Sequence, residues 1–145
     1  MSEKLSDAVT AAWIRLVRAR HKVVSAVEAD GKAAGVLPME WYDVLWELER
    51  APEGRRPFEL EHRLLFAQYN LSRLIDRMVE AGMVRKAPSP EDKRGHVLHV
   101  TEAGRKARKA TWPHYSKAIS RHVGDKLTEA EAEKLATLLG KLIDP

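Results

Sequence analysis

The sequence contains no cysteine. Disulfides, thiol nucleophiles, thiol redox sensing and cysteine–zinc sites are therefore excluded together. No apolar stretch approaches the roughly 20 residues that a membrane span requires. The opening Met1-Ser2-Glu3-Lys4-Leu5-Ser6-Asp7 lacks the apolar core and small-residue cleavage site of a secretory signal, so a cytoplasmic protein without a membrane partner is expected. A glycine-rich phosphate loop, a Gly-x-Ser-x-Gly elbow and a carboxylate pair at helical spacing in an apolar setting are all missing, so nothing supports an enzyme. The six histidines, His21, His62, His96, His99, His114 and His122, form no His-x-x-x-His or His-Glu-x-x-His pair. His96 and His99 fall on opposite faces of a strand, and neither a metal nor a cofactor is expected. Repeats, low-complexity tracts and linkers are absent too, and 145 residues suit one domain.

What is present is an uneven charge. The net charge is +4, yet Arg63 to Arg121 holds 13 Lys/Arg against 5 Asp/Glu, leaving 12 against 16 elsewhere. A basic central block is an electrostatic footprint for a polyanion, although a solvated helix face accounts for such a run equally well. Hydrophobic residues make up 44% of the chain, enough for a sizeable core.

The spacing of Val9, Trp13, Leu16, Val17, Val23, Val24 and Val27 predicts a helix from Ser6 to about Ala29, capped by Ser6 and ended by Asp30-Gly31-Lys32. A second helix opens at Leu37-Pro38, buries Trp41, Val44, Leu45 and Leu48, and stops before Pro52. A short helix follows Pro57. The next, about Ala67 to Ala81, carries Leu71, Leu74, Ile75 and Met78 on one face. Its opposite face carries Tyr69, Ser72, Arg73, Asp76, Arg77 and Glu80, flanked by Gln68 and Asn70, and Gly82 marks its end. The period then changes: Met83 to Ala87 and His96 to Val100 read as strands around a Pro88–Gly95 loop, with Leu98 and Val100 on one side. A long helix from Thr101 should kink or break at Pro113. The last helix opens on the capping box Thr128-Glu129-Ala130-Glu131 and should bury Leu135, Leu138, Leu139 and Leu142.

Helix, helix, polar-faced helix and ribbon, in that order, describe a winged helix-turn-helix, whose second helix enters the major groove of DNA. Arginine can pair with guanine and asparagine or glutamine with adenine, so Gln68, Tyr69, Asn70, Ser72 and Arg73 are the candidates for reading bases. Arg77 and Lys93 are placed on phosphates, and Arg94 in or beside the minor groove, with Asp92 near enough to orient it. The same helix by itself would be an ordinary amphipathic surface helix; helix and wing together point to DNA.

Asp92-Lys93-Arg94-Gly95 followed by His96 to Val100 and Thr101-Glu102-Ala103-Gly104 resembles the wing signature of the MarR family of bacterial transcriptional regulators. Leu71-Ser72-Arg73-Leu74-Ile75-Asp76-Arg77-Met78 is similar to that family's recognition helix, and Leu127-Thr128-x-x-Glu131 with Leu135 and Leu138 to its closing dimerisation helix. The resemblance covers nearly the whole chain. It implies a mainly α fold with a small two- to three-stranded antiparallel wing. The winged-helix lobe would span about 36–100, flanked by dimerisation helices at about 5–30 and 101–145. It further implies a homodimer that binds a pseudo-palindromic double-stranded operator, as a repressor in the bacterial or archaeal cytoplasm, nucleoid-associated when bound. A small aromatic or phenolic effector often releases DNA in this family, and Trp13 and Trp41, with Arg15 or Arg18 for a carboxylate, have suitable chemistry. Core and interface filling is the plainer use of the tryptophans.

Two positions depart from the family pattern. Val100 stands where leucine is usual. Leu65-Phe66-Ala67 stands where a small turn and a Ser/Thr cap are usual, and Ala67 cannot cap a helix. The alternative to a DNA-binding regulator is a helical dimerisation or protein-interaction module whose winged helix no longer binds DNA.

Overall fold

The computed structural model describes residues 4–66, 70–92 and 95–144. Six α-helices and one ribbon follow in the order α1 (Asp7–Ala34), α2 (Met39–Glu49), α3 (Pro57–Arg63), α4 (Leu71–Glu80), β1 (Val84–Pro88), β2 (His96–Val100), α5 (Glu102–His122) and α6 (Glu129–Ile143). A single 3-10 turn, Gly124–Lys126, precedes α6. The chain divides into two compact units, one of residues 31–114 and one of residues 1–30 with 115–145.

The core of the 31–114 unit draws on every element between α2 and β2. Val44, Leu45 and Leu48 come from α2, Leu60 from α3, and Leu71, Leu74, Ile75 and Met78 from α4. Val84, Leu98 and Val100 close it from the ribbon. Each such side chain contributes about 1.5–3 kcal/mol on burial, which makes this cluster the main source of order in the unit. β1 and β2 pair antiparallel with Val84 opposite Val100 and Lys86 opposite Leu98. Arg55 adds a one-residue third strand: its N–H donates to the Leu98 carbonyl at 3.0 Å, and the Leu98 N–H donates back at 2.8 Å.

Local chemistry sets the ends. The Ser6 hydroxyl accepts from the Val9 N–H at 3.1 Å. The first helix does not stop at Asp30-Gly31-Lys32 but runs to Ala34, because one interior glycine costs only about 1 kcal/mol. Gly35, at φ 70°, ends it instead. The C-terminus of α4 is a Schellman closure: Gly82, at φ 78°, donates to the Val79 carbonyl and Met83 to that of Met78. Pro113 does not break α5, which is continuous from Glu102 to His122; the carbonyl its ring leaves unpaired belongs to the exposed Lys109. In α6 the capping box forms in both directions, Glu131 N–H to the Thr128 hydroxyl at 3.1 Å and Thr128 N–H to the Glu131 carboxylate at 2.9 Å. Those bonds hold the Glu131 carboxyl below its ordinary range.

The burial expected along α6 is not made within a single chain: Leu135, Leu138 and Leu142 are exposed and Leu139 is half-buried, since none of the described residues covers this face. In the same unit Val27, Tyr115 and Ala118 are buried, and His122 of α5 meets Asp30 of α1 at 2.8 Å.

Two features of the 31–114 unit go beyond hydrophobic patterning. The first is the junction after β2. Thr101 donates through its N–H to the Met83 carbonyl at 3.0 Å and through its hydroxyl to the Gly82 carbonyl at 2.6 Å. That hydroxyl also caps α5, accepting from the Gly104 N–H at 3.0 Å. Gly104 is buried so tightly that an added methyl would collide with the Met83 carbonyl, Val100 and Leu45. The second is Asp43 on α2, only 4% exposed, which accepts from the Phe66 N–H at 3.1 Å. Burial pushes its carboxyl from the ordinary 3.8 to about 6, against backbone hydrogen bonds from Phe66 and Leu65 that favour the charged form. Glu47, one turn further along α2, raises it as well.

Gly104→Ala should lower the unfolding free energy by about 2–3 kcal/mol, the scale of overpacking against backbone that cannot retreat; urea denaturation measures it, and a neutral result would mean the junction is slack. Asp43 gives a pH signature. Its folded pKa lies above the unfolded one, so its stabilising contribution is complete below pH 3.8 and is lost as pH rises through about 6. The loss is on the order of 2–3 kcal/mol. Asp43→Asn cannot ionise and should flatten the stability curve between those values, matching or exceeding the parent at neutral pH. An unaltered curve in that variant would show that Asp43 does not titrate in this range.

Candidate nucleic-acid interface

α4 is amphipathic to its full length. Leu71, Leu74, Ile75 and Met78 are buried, while Ser72, Arg73, Asp76, Arg77 and Glu80 are exposed. The inner face fixes the helix rotationally, so the polar residues are presented outward on a rigid support. The helix is shorter than its periodicity predicts. It begins at Leu71 rather than about Ala67, with Asn70 at the N-cap in a non-helical conformation (φ −137°, ψ 56°) and without a side-chain cap bond. Asn70 is exposed at that end, and Ser72 and Arg73 project from the first turn. Gln68 and Tyr69 precede the helix and lie outside the described residues, as do Lys93 and Arg94 at the wing tip.

The charge on this face is edited by the wing. Lys86 of β1 pairs with Asp76 of α4 at 2.6 Å. That pairing neutralises a carboxylate which would otherwise oppose an approaching phosphate, and leaves Arg73 and Arg77 as the exposed cations of α4. The wing base is tied separately. Arg56, just ahead of α3, donates to the buried Ser89 hydroxyl at 2.9 Å and pairs with Glu91 at 3.2 Å. The loop turns back through Gly95, whose N–H donates to the Asp92 carbonyl at 3.1 Å, while the Ser89 N–H donates to the Gly95 carbonyl at 3.1 Å. Asp92 is exposed at the last described position before the tip.

Three contributors were missed by sequence reasoning. Arg56 and Lys86 act across 33 and 10 residues of sequence, a separation over which no helical or strand period operates. Asp43 shares a helical face with Glu40 and Glu47, one turn to either side, so in the sequence it reads as one member of an ordinary acidic stripe rather than as a buried acid.

The residues considered for an effector are placed individually. Trp13, Arg15 and Arg18 are exposed on α1, and Trp41 is partly buried against the winged-helix core. An open depression along α1 is lined by Val17, Arg18, His21, Lys22 and Ser25. The remaining tryptophans join a cation–aromatic group. Trp112 stacks on Tyr42 with centroids 5.8 Å apart, and the guanidiniums of Arg50 and Arg108 lie 5.6 and 5.3 Å from the centre of Trp46. Arg108 also pairs closely with Glu49. Burial works against its charge, but bonds to Tyr42 and Glu49 outweigh that and raise its pKa. Among the described residues no group of three His, Asp or Glu side chains could hold a metal ion, and no helix is long and apolar enough to cross a membrane.

The sequence model of the MarR family matches residues 34–95. No curated protein sequence matches the chain. Among solved structures, the chain is similar to AbsC, a MarR family transcriptional regulator from Streptomyces coelicolor, at 25% identity and a TM-score of 0.82, covering 99% of this chain and 97% of AbsC. Its fold is also that of Sco3205, a MarR family transcriptional regulator from the same organism solved in complex with DNA: 21% identity, TM-score 0.85, 99% of this chain and 91% of that one. A mutant MarR from E. coli complexed with operator DNA gives 22% identity and a TM-score of 0.79 over 99% of this chain and all of that one (100%). The winged-helix segment thus matches the MarR family model, and along its whole length the chain shares the fold of MarR family transcription regulators.

Proposed function

We propose that this protein is a homodimeric repressor that reads an inverted-repeat operator in double-stranded DNA. The observation that carries the proposal is α4 itself, with one face locked into the core and the other presenting Ser72, Arg73 and Arg77. Support comes from the two solved regulators of the same fold whose structures contain DNA. In this reading Arg73, with Asn70, Gln68, Tyr69 and Ser72, contacts base edges in the major groove. Arg77 and Lys93 take phosphates, and Arg94, steadied by Asp92, lies in or beside the minor groove.

The dimer in this proposal is built from the chain ends. Leu5, Val9 and Trp13 at the start are exposed, as are Leu135, Leu138, Leu142 and Ile143 at the end, with Leu142 at 71% and Trp13 at 66%. So many large apolar side chains left exposed on two helices mark an interface in a protein that must stay in solution. A two-fold axis would then present two copies of α4 about one DNA turn apart, roughly 10 base pairs. The regulator would act in the cytoplasm. An aromatic or phenolic effector, with Trp13 against its ring and Arg15 or Arg18 on its carboxylate, extends the proposal through the chemistry of those side chains; Trp41 offers the same aromatic chemistry in the winged-helix unit.

Arg73→Ala should relax base preference at a symmetric pair of operator positions, whereas Arg77→Ala should weaken all sites alike and reduce the salt dependence by about one phosphate contact. Selection from random DNA followed by salt titration separates the two; a non-symmetric consensus, or identical profiles for both variants, would remove α4 as the reading face. For the dimer, Leu138→Glu combined with Leu142→Glu should convert a species of twice the chain mass to a monomer or to aggregate in light scattering. A dimer that survives both charges would place the interface elsewhere.

A further inference from the structure

We infer that Asp43 is a positioning residue for the recognition helix: its carboxylate holds the backbone at Phe66, four residues ahead of Asn70, and so fixes where α4 starts and which of its residues face outward. The inference deepens the DNA-binding reading and rests on it for its functional consequence.

The start of α4 has no closure of its own. Asn70 occupies the N-cap without making a side-chain cap bond, and Ala67 has no acceptor to offer. The end of α3 leaves a parallel gap. Its cap residue, Leu64, is already extended (φ −66°, ψ 140°) and its N–H makes the last bond of that helix, to the Leu60 carbonyl. The N–H groups of Leu65 and Phe66 therefore emerge beyond the helix and need acceptors. A carboxylate is suited to this place: Asp43 takes the Phe66 N–H at 3.1 Å, and the neighbouring Leu65 N–H also favours its charged form. Leu65 itself is 80% exposed, so its side chain cannot anchor the turn.

An acid this deeply buried is expensive to keep charged, and an apolar residue would cost α2 less. The interaction it makes is what offsets the cost. The ionisable group acting on Asp43 is Glu47 on its own helix; what faces it from the α3–α4 turn is uncharged backbone. Among the described residues no opposite charge acts on it, and the N–H dipoles of the turn are what favour its charged form. The opposite end of α4 is held by the Schellman closure and by Thr101 on the Gly82 carbonyl. Asp43 supplies the matching restraint at the end that carries Asn70, Ser72 and Arg73.

Three measurements on the full chain test this. In the parent protein the Phe66 amide proton resonance should titrate with a midpoint near the carboxyl's value of about 6, and the titration should vanish in Asp43→Asn. In Asp43→Ala, hydrogen exchange should accelerate at Phe66 and through the first turn of α4, while Asp43→Asn, which retains an acceptor, keeps the parent's protection. Finally, a duplex selected from random DNA by the parent protein is compared with a scrambled duplex of equal composition. Asp43→Ala should lose preference between them by roughly tenfold or more, with Asp43→Asn restoring it. Loss of stability without positioning would leave the preference of the folded fraction unchanged, and that result overturns the inference. Should Asp43→Ala not fold, the titration and the Asp43→Asn exchange decide: a flat Phe66 titration, or an unprotected amide in Asp43→Asn, overturns it. A parent protein that selects no duplex refutes the DNA-binding reading, while the amide measurements still judge Asp43.

Discussion

The close approach at Thr101 and Gly104 is the constraint on which the winged-helix unit depends. Four elements meet there. Through one residue's N–H and hydroxyl, the end of β2 and the start of α5 are bonded to the turn that joins α4 to β1. Only a residue without a side chain lets the Met83 carbonyl, Val100 and Leu45 come so near. The Thr-x-x-Gly pattern that carries the family resemblance thus has a direct physical meaning: the hydroxyl caps one helix and restrains the end of another, and the glycine makes room for both.

That junction bears on the proposed DNA surface because it couples the wing to α4. The ribbon is anchored at its base by Val84, Leu98 and Val100 in the core, and the Lys86–Asp76 pair links its outer edge to the exposed face of the helix. An exposed ion pair of this kind adds little to stability. Its weight lies in the charge pattern, because it removes one negative group from a face whose proposed partner is a polyanion.

Much of this was legible from residue order. The apolar period located α2, α4 and β2, the capping box located α6, and the alternation of Leu98 and Val100 gave the buried side of the ribbon. These signals are local, arising from residues within one or two turns of each other. What escaped has a different range. α4 begins at Leu71, behind an Asn70 N-cap that makes no side-chain bond, and the contact from Asp43 of α2 to the Phe66 N–H spans 23 residues, a range that no local pattern encodes. Proline at position 113 does not break α5, because a helix tolerates one lost bond where the freed carbonyl can reach water. The leucines of α6 were read as an apolar face and, through the family resemblance, as part of a dimerisation helix, and in a single chain they stand exposed; periodicity states that a face seeks cover without stating whose.

The two restraints on α4 also bear on how its proposed function would be energetically possible. A short exposed helix is marginal by itself, since nucleation fixes several dihedral angles for one hydrogen bond. Ten residues would not hold their form without the core beneath them and a fixed closure at each end. Association with DNA already costs translational and rotational freedom, and any loop or helix that must order on contact adds to that cost. A recognition helix ordered in advance avoids the addition, so base contacts from a few side chains can appear as discrimination between sequences. The buried Asp43 carboxylate, unfavourable for stability at neutral pH, makes sense in those terms: part of the folding free energy is given up to keep the reading face in register before DNA arrives.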